Sequence, residues 1–367
     1  MSERVRMTDP VNLEDLIISS GNVEADDQVE FISTGSTLLN LASSGKGIFG
    51  GWARNRVVNI VGDGSSGKTL LVLEAISSAM NRMIDSNSRL FPAVKKIVVR
   101  YNNPETVMDF DIRKIWGIDR ENIDWVSSRT IQEFGRDFGQ IADNISAGDM
   151  VIYVLDSLDA LPSEEEVERF EKSQKKNESV EGSFNMEKQS YLGKFFRSEI
   201  LPKMDGKDIT LFIISQVRSK IGVTFGEKLY RTGGKALDFY THQVMWLNEK
   251  EKLKKFVKGH DIVNGIRVRA RLKRSKVSKP FRECEFTVLF DYGIDNIGSN
   301  IDYLFDLGGK KTGNNLIWDK NNFKSRSGLI SYIEENNQEY DLEREVEKKW
   351  FEIEEEASGA KGRKKRF

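Results

Sequence analysis

Gly62-Asp63-Gly64-Ser65-Ser66-Gly67-Lys68-Thr69 follows the apolar run Val57-Val58-Asn59-Ile60-Val61 and opens a helical stretch from Leu70 to about Arg82. The octet has the form G-x-x-x-x-G-K-[ST], a phosphate-binding loop set between a strand and a helix. Its glycines let the backbone curl until several N–H groups converge on one anion. The helix that follows adds the positive end of its dipole. Lys68 is long enough to reach β- and γ-phosphates, and the Thr69 hydroxyl is an oxygen donor suited to Mg²⁺. A Gly/Ser-rich surface turn could match by accident, but strand, loop and helix stand here in the order the motif requires. Gly62 through Thr69 are therefore the candidate nucleotide-binding residues.

The 367-residue chain is long enough for one large core with smaller appendages. Its 38% hydrophobic and 31% charged residues read as a soluble, well-folded protein. The 56 Lys and Arg nearly cancel the 57 Asp and Glu, so any signal for nucleic acid must be local. A single cysteine, Cys284, excludes an internal disulfide framework and a cysteine-based metal site. His242 and His260 are too few and too isolated for a zinc centre or a Ser-His triad. No apolar run spans a bilayer and no leader pattern opens the chain, which predicts a cytoplasmic protein with no membrane partner.

Residues 1–30 are polar, with one short helical candidate over Asn12–Ser19, and read as an N-terminal arm or a docking peptide, a segment that can serve subunit docking. The core runs from 31 to 308; from Phe31 to about Asn248 apolar strand-like runs alternate with helical patterns, the pattern of an α/β core with a mainly parallel sheet flanked by helices. The strand candidates are Val57–Val61, Lys96–Arg100, Met150–Leu155 and Ile209–Ile214, whose apolar cores are largely continuous, as expected of strands buried on both faces. Val244–Leu247, Ile266–Leu272 and Cys284–Phe290 predict an antiparallel extension, its first two strands joined by a charged hairpin over Glu249–Gly265. Residues 309–358 form a small C-terminal region with helices near Ser327–Asn336 and Asp341–Glu356. Residues 359–367 are a basic tail expected to be disordered.

Three further strand ends carry chemistry. Val151-Ile152-Tyr153-Val154-Leu155-Asp156 is a buried strand ending in a carboxylate, where a P-loop enzyme holds Mg²⁺ or its water, so Asp156 joins Thr69 as a metal candidate. Ile97-Val98-Val99-Arg100 runs through Tyr101-Asn102-Asn103-Pro104 into Glu105. A carboxylate at that end of a parallel sheet can orient or deprotonate a water, and equally it can cap a helix begun by Pro104. Gln216 ends the run Thr210–Ser215, where an amide can bond a γ-phosphate and lose that bond on hydrolysis. The stretch beyond it holds Arg218, Lys220, Ile221 and the paired Gly233-Gly234. Cations, glycines and an apolar wedge suit single-stranded nucleic acid, although a solvent or protein-docking loop has the same composition.

The run Ser215–Val223 continuing through Thr232–Tyr240 closely resembles the second DNA-binding loop of bacterial RecA recombinases, and Phe31–Ser36 resembles the opening of that family's core. The resemblance covers roughly Ile32 to Gly308. It implies a RecA-like fold and a DNA-dependent ATPase that uses ATP and Mg²⁺. It also implies a homo-oligomeric helical filament on single-stranded DNA, with ATP at subunit interfaces, that pairs with homologous duplex DNA and exchanges strands. Through it Glu105 becomes the catalytic carboxylate, with Lys68, and Asp109 lies near the adenine. Gln216 couples the γ-phosphate to the DNA loop. Ile221 wedges between base triplets, and Arg218, Ser219, Lys220, Gly222, Gly233, Gly234 and Lys235 belong to the DNA-binding set. Arg274 and Lys276, counted back from Pro280-Phe281, match two cations that reach a neighbour's ATP.

Several positions depart from the family pattern. Ile112 stands where an adenine-stacking tyrosine is common, and Asn102-Asn103 where acidic residues are usual. The first DNA-binding loop, Pro162 to about Lys188, is longer and more charged, and the C-terminal region ends basic rather than acidic. Two other readings share the same motifs: a RecA-fold ring helicase or motor, and an ATP-gated DNA-binding mediator that performs no strand exchange.

Overall fold

The computed structural model describes residues 29–84, 94–106, 108, 110–176, 191–219, 229–231, 234–308 and 315–359. The helix expected over Asn12–Ser19 and the tail from 360 onward lie outside them. The strands of the main sheet are β1 (Val57–Gly62), β2 (Lys96–Asn102), β3 (Ile123–Val126), β4 (Asp149–Leu155) and β5 (Ile209–Ser219). They continue with β6 (Gln243–Val257), β7 (His260–Ser275), β8 (Glu283–Leu289) and β9 (Gly293–Asp295). Their order across the sheet is β9-β8-β7-β6-β1-β5-β4-β2-β3, and a short strand Leu229–Arg231 adds to the far end of β5. From β6 to β3 neighbouring strands run parallel; β7, β8 and β9 continue antiparallel.

The alternation of side chains along each strand splits the core into two layers. Val58, Ile60, Phe212 and Ile214 face one way, against α1 (Thr37–Ser44), α2 (Lys68–Ile84) and α3 (Ile112–Trp116). Val57, Leu211, Ile213 and Tyr153 face the other, against Phe134 and Phe138 of α4 (Ile131–Asp143) and Leu237 of α6 (Gly234–Tyr240). Between these two helices in the chain lies α5 (Glu164–Lys176), whose first turn binds α4 through Arg136 and Glu164, 2.9 Å apart. Burial on both faces is why the strands read as unbroken apolar runs.

The expected strands are present, and several extend further than their apolar runs. β2 continues through the buried polar Asn102, and β5 runs to Ser219 because Leu229–Arg231 supplies a ladder for Val217, Arg218 and Ser219. The charged hairpin is itself sheet: β6 and β7 stay paired from Gln243↔Ser275 out to Val257↔His260, with register shifts at Val263/Gly265, Arg267/Val268 and Leu272/Arg274. β3 carries the alternating Ile123-Asp124-Trp125-Val126, too short a run to stand out from its surroundings in the sequence.

Past β9 come α7 (Asn296–Leu304), α8 (Arg326–Glu335) and α9 (Glu339–Glu356). Ile301, Leu316, Leu329, Ile333 and Leu342 form a separate small core there. α9 also lies on the main body. Its Val346 and Trp350 join the larger core, while Glu347 accepts from the Ile48 N–H at 2.8 Å and Glu343 accepts from Thr37 Oγ1 at 3.1 Å.

Candidate nucleotide site

The phosphate-type loop leaves β1 at Gly62 and enters α2 at Lys68. Gly62 has no room for a side chain, since a Cβ there would lie 2.3 Å from Ser66 Oγ and 3.0 Å from the Leu247 carbonyl. Gly67 takes a φ of +84°, the left-handed region open to glycine, and so turns the loop into the helix. Ser66 donates to the Asp63 carbonyl at 2.8 Å, and the ammonium of Lys68 donates to the same oxygen, closing the loop on itself. Lys68 is only 6% exposed. Burial lowers its pKa, while Asp156, Asp63, Asp159 and Glu105 pull it back up. Gly64 and Ser65 form the exposed outer arc.

Four adjacent strands bring the remaining groups to the same edge of the sheet. Thr69 Oγ1 donates to Asp156 Oδ2 at 2.7 Å, so the two candidate metal ligands, 87 residues apart, are in contact. Tyr101 OH donates to that same oxygen at 2.8 Å. Burial raises the Asp156 pKa, and the Thr69 and Tyr101 hydroxyls counter it. Burial, with the charge of Asp156 second, holds the Tyr101 phenol well above its ordinary value.

Glu105 Oε1 accepts from Ser157 Oγ at 2.8 Å and lies 3.4 Å from Gln216 Nε2. Gln216 is anchored through its backbone N–H on Asp159 Oδ2 at 2.6 Å. The capping alternative for Glu105 fails: the next helix is α3, and its N-cap is Asp111, whose side chain accepts from Lys114 N. Glu105 instead sits in a turn held by Asn103, which accepts from Glu105 N at 3.1 Å, with Thr106 following at φ +61°. A β-branched residue in that region is an outlier, a common property of turns that present functional groups.

Sequence reasoning missed the supports behind this edge. Asn102 is buried and donates to Ser128 Oγ (2.7 Å) and Tyr153 OH (2.9 Å), and its main-chain oxygen accepts from Asp156 N at 2.9 Å. Tyr153 passes the chain of bonds to Asp137, which also binds Arg100. Polar residues at or just past the end of an apolar strand were the available signal for Tyr101, Asn102 and Ser157, while Asp159 lies in the turn Leu158–Ala160 beyond β4.

Arg274 and Lys276 lie elsewhere. Gly62 is level with Leu247 and Ala270, whereas Val58 is level with Gln243 and Ser275. Arg274 is level with Val244 and so with Asn59, while Lys276 N–H bonds the His242 carbonyl and His242 N–H bonds the Val57 carbonyl, so Lys276 flanks the start of β1. The five residues from there to the loop are roughly 16 Å of strand. The Arg274 guanidinium lies 5.5 Å over the Phe239 ring, and Lys276 Nζ donates to the Phe239 carbonyl.

Of the candidate nucleic-acid residues, Arg218 and Ser219 are in the paired end of β5, and Gly234 and Lys235 are in the first turn of α6. Arg231, at the base of this ribbon, is 4% exposed and paired with Asp238, a structural tie between ribbon and helix. Asp109, Lys220, Ile221, Gly222 and Gly233 lie outside the described residues.

Among the described residues no group of three or more His, Cys, Asp or Glu side chains could hold a metal ion. The site offers one hydroxyl and one carboxylate, hard oxygens that suit Mg²⁺ sharing its shell with phosphates and water. Also among the described residues, no helix is long and apolar enough to cross a membrane.

Residues 13–295 match the family described as RecA N-terminal domain. The chain belongs to the RecA family. It is 31% identical over 324 residues to Protein RecA of Mycobacterium sp. (strain KMS), covering 88% of this chain and 82% of that one. It is 32% identical over 330 residues to Protein RecA of Mycobacterium avium (strain 104), with the same two shares. Protein RecA of Synechococcus sp. (strain CC9605) is 30% identical over 311 residues, 84% of this chain and 74% of that one. The RecA match extends to residue 13, before the described residues begin.

Proposed function

We propose that this RecA-family protein is an ATP-dependent homologous recombination protein that assembles on single-stranded DNA and exchanges strands with a homologous duplex. RecA proteins are in general DNA-dependent ATPases that use ATP with Mg²⁺ and form filaments on single-stranded DNA. In this chain the loop Gly62–Thr69 binds the phosphates, with Asp109 beside the adenine. Thr69 and Asp156 hold Mg²⁺, which neutralises phosphate charge when bound. Glu105 orients and deprotonates the attacking water. Gln216, 3.4 Å from Glu105, couples the γ-phosphate to the strand that leads into the DNA loop. Arg218, Lys220, Gly233, Gly234 and Lys235 contact the DNA backbone, Ser219 and Gly222 complete the DNA-binding set, and Ile221 wedges between base triplets.

The observation that carries this reading is the sheet register. Glu105, Asp156, Gln216 and the loop with Lys68 and Thr69 gather at one edge, Lys276 sits by the other and Arg274 is level with Asn59 between them. Cations set back from their own phosphate loop are available to that of a neighbouring subunit, where they stabilise transition-state charge only on assembly. The protein acts in the cytoplasm. Its test is the ATPase rate with and without single-stranded DNA, with electron microscopy of the same samples. DNA-stimulated hydrolysis, open helical filaments and strand exchange are expected. Closed rings would favour a motor, and ATP-gated DNA binding without exchange would favour a mediator.

A further inference from the structure

We propose that Tyr101 is a positioning residue for Asp156: its hydroxyl fixes the carboxylate that, with Thr69, receives the metal. The inference rests on the nucleotide-site reading above. Tyr101 is fully buried in β2, level with Val154 of β4 on one side and Trp125 of β3 on the other. A hydroxyl buried so deeply needs a partner, and this one donates to Asp156 Oδ2 at 2.8 Å. Thr69 Oγ1 donates to the same oxygen at 2.7 Å. One carboxylate oxygen thus receives two hydroxyls from two different elements, a geometry that leaves the side chain little freedom to rotate.

The phenol cannot drift, because its ring is wedged in place. The Trp125 ring lies 5.0 Å away at 35°, and Trp125 is itself held by its Nε1–H on the Arg120 carbonyl at 3.0 Å and by the Arg120 guanidinium 4.7 Å above it. The backbone of Asp156 is fixed independently by the Asn102 carbonyl, the residue after Tyr101. Residues 101 and 102 therefore hold Asp156 by side chain and by main chain respectively. Outer partners of this kind set ligand orientation, and removing one typically weakens metal binding at least tenfold.

Tyr101→Phe deletes the hydroxyl and keeps the ring. The experiment uses the full chain and a fluorescent ATP analogue, with binding followed as Mg²⁺ is titrated and again in EDTA. The Mg²⁺ midpoint is expected to rise about tenfold, with analogue binding in EDTA and the circular dichroism spectrum unchanged. An unchanged midpoint would overturn the proposal and leave Tyr101 as a space-filling residue. If the parent protein itself shows no Mg²⁺-dependent binding, the nucleotide-site reading fails first, and the two failures are distinguishable. Should Tyr101→Phe not fold, the same titration on Trp125→Phe decides. Loosening the seat of the ring should move the midpoint the same way by a smaller factor, and no movement there overturns the proposal.

Discussion

Glu105 owes its placement to three unlike contacts: the Asn103 side chain under its backbone, the Ser157 hydroxyl on its carboxylate and the Gln216 amide beside it. Glu105→Gln preserves size and hydrogen bonding and removes the base. Binding of the fluorescent ATP analogue should persist while hydrolysis falls by at least two orders of magnitude. Hydrolysis at the parent rate would reduce Glu105 to a turn residue. His242 makes a second prediction at this scale. Its Nδ1 accepts from Val57 N–H at 3.2 Å, so the fold needs the neutral ring. Its pKa is pushed down to about 4, by burial first and then by Lys276 and Arg56. The unfolded chain, with a histidine near 6.5, takes up the proton first as pH falls. The contribution of His242 is therefore complete above about pH 6.5 and is lost between there and about pH 4, on the order of 2–3 kcal/mol. Urea unfolding at pH 7 and pH 4.5 should show a smaller pH difference for His242→Gln than for the parent. An equal difference would assign the acid sensitivity to carboxylates.

At the scale of elements, the β6–β7 hairpin separates two roles within one pair of strands. Its base is core, with Met245, Val268 and Leu272 buried, while its far end is exposed, Phe256 at 72% and Ile262 at 51%. Lys254 and Val263 are paired across it. Replacing residues 255–262 with Asn-Gly gives a two-residue connection between paired positions, the loop that twisted hairpins favour. Because the excised part buries little, stability in urea should stay within about 0.5 kcal/mol. A larger loss would mean that the tip packs against the body. α9 behaves differently. Glu343, Glu347 and Glu354 bind Thr37 of α1, the Ile48 N–H beyond it and Arg282 before β8, so α9 is tied to the sheet body by hydrogen bonds and one ion pair as well as by Val346 and Trp350.

For the whole molecule, the register predicts that the catalytic unit is an interface. A variant carrying both Arg274→Ala and Lys276→Ala should still bind the ATP analogue, since Lys68, Thr69 and Asp156 are untouched. Its DNA-stimulated hydrolysis should drop at least a hundredfold. Mixed with Asp156→Asn subunits it should regain activity, because each partner supplies the half-site the other lacks. Co-assembled filaments with no regained hydrolysis would show that the basic pair works within its own subunit or serves DNA alone.

The P-loop was legible because its octet is contiguous and its flanking strand and helix are read from the same twenty residues. The parallel strands were legible because burial on both faces leaves unbroken apolar runs. The same locality explains the misses. β3 is four residues long and half exposed, so its pattern cannot be told from a loop. The bond from Tyr101 to Asp156 spans 55 residues and exists only because β2 and β4 are neighbours in the sheet. Arg231 is charged and beside glycines, which reads as surface until Asp238 is seen to bury it. Which residues form the phosphate-type loop and which strands end in carboxylates followed from local spacing. Strand order and register, set by how the two core layers pack, alone decided which of those residues meet and how far along the sheet Arg274 and Lys276 lie from them.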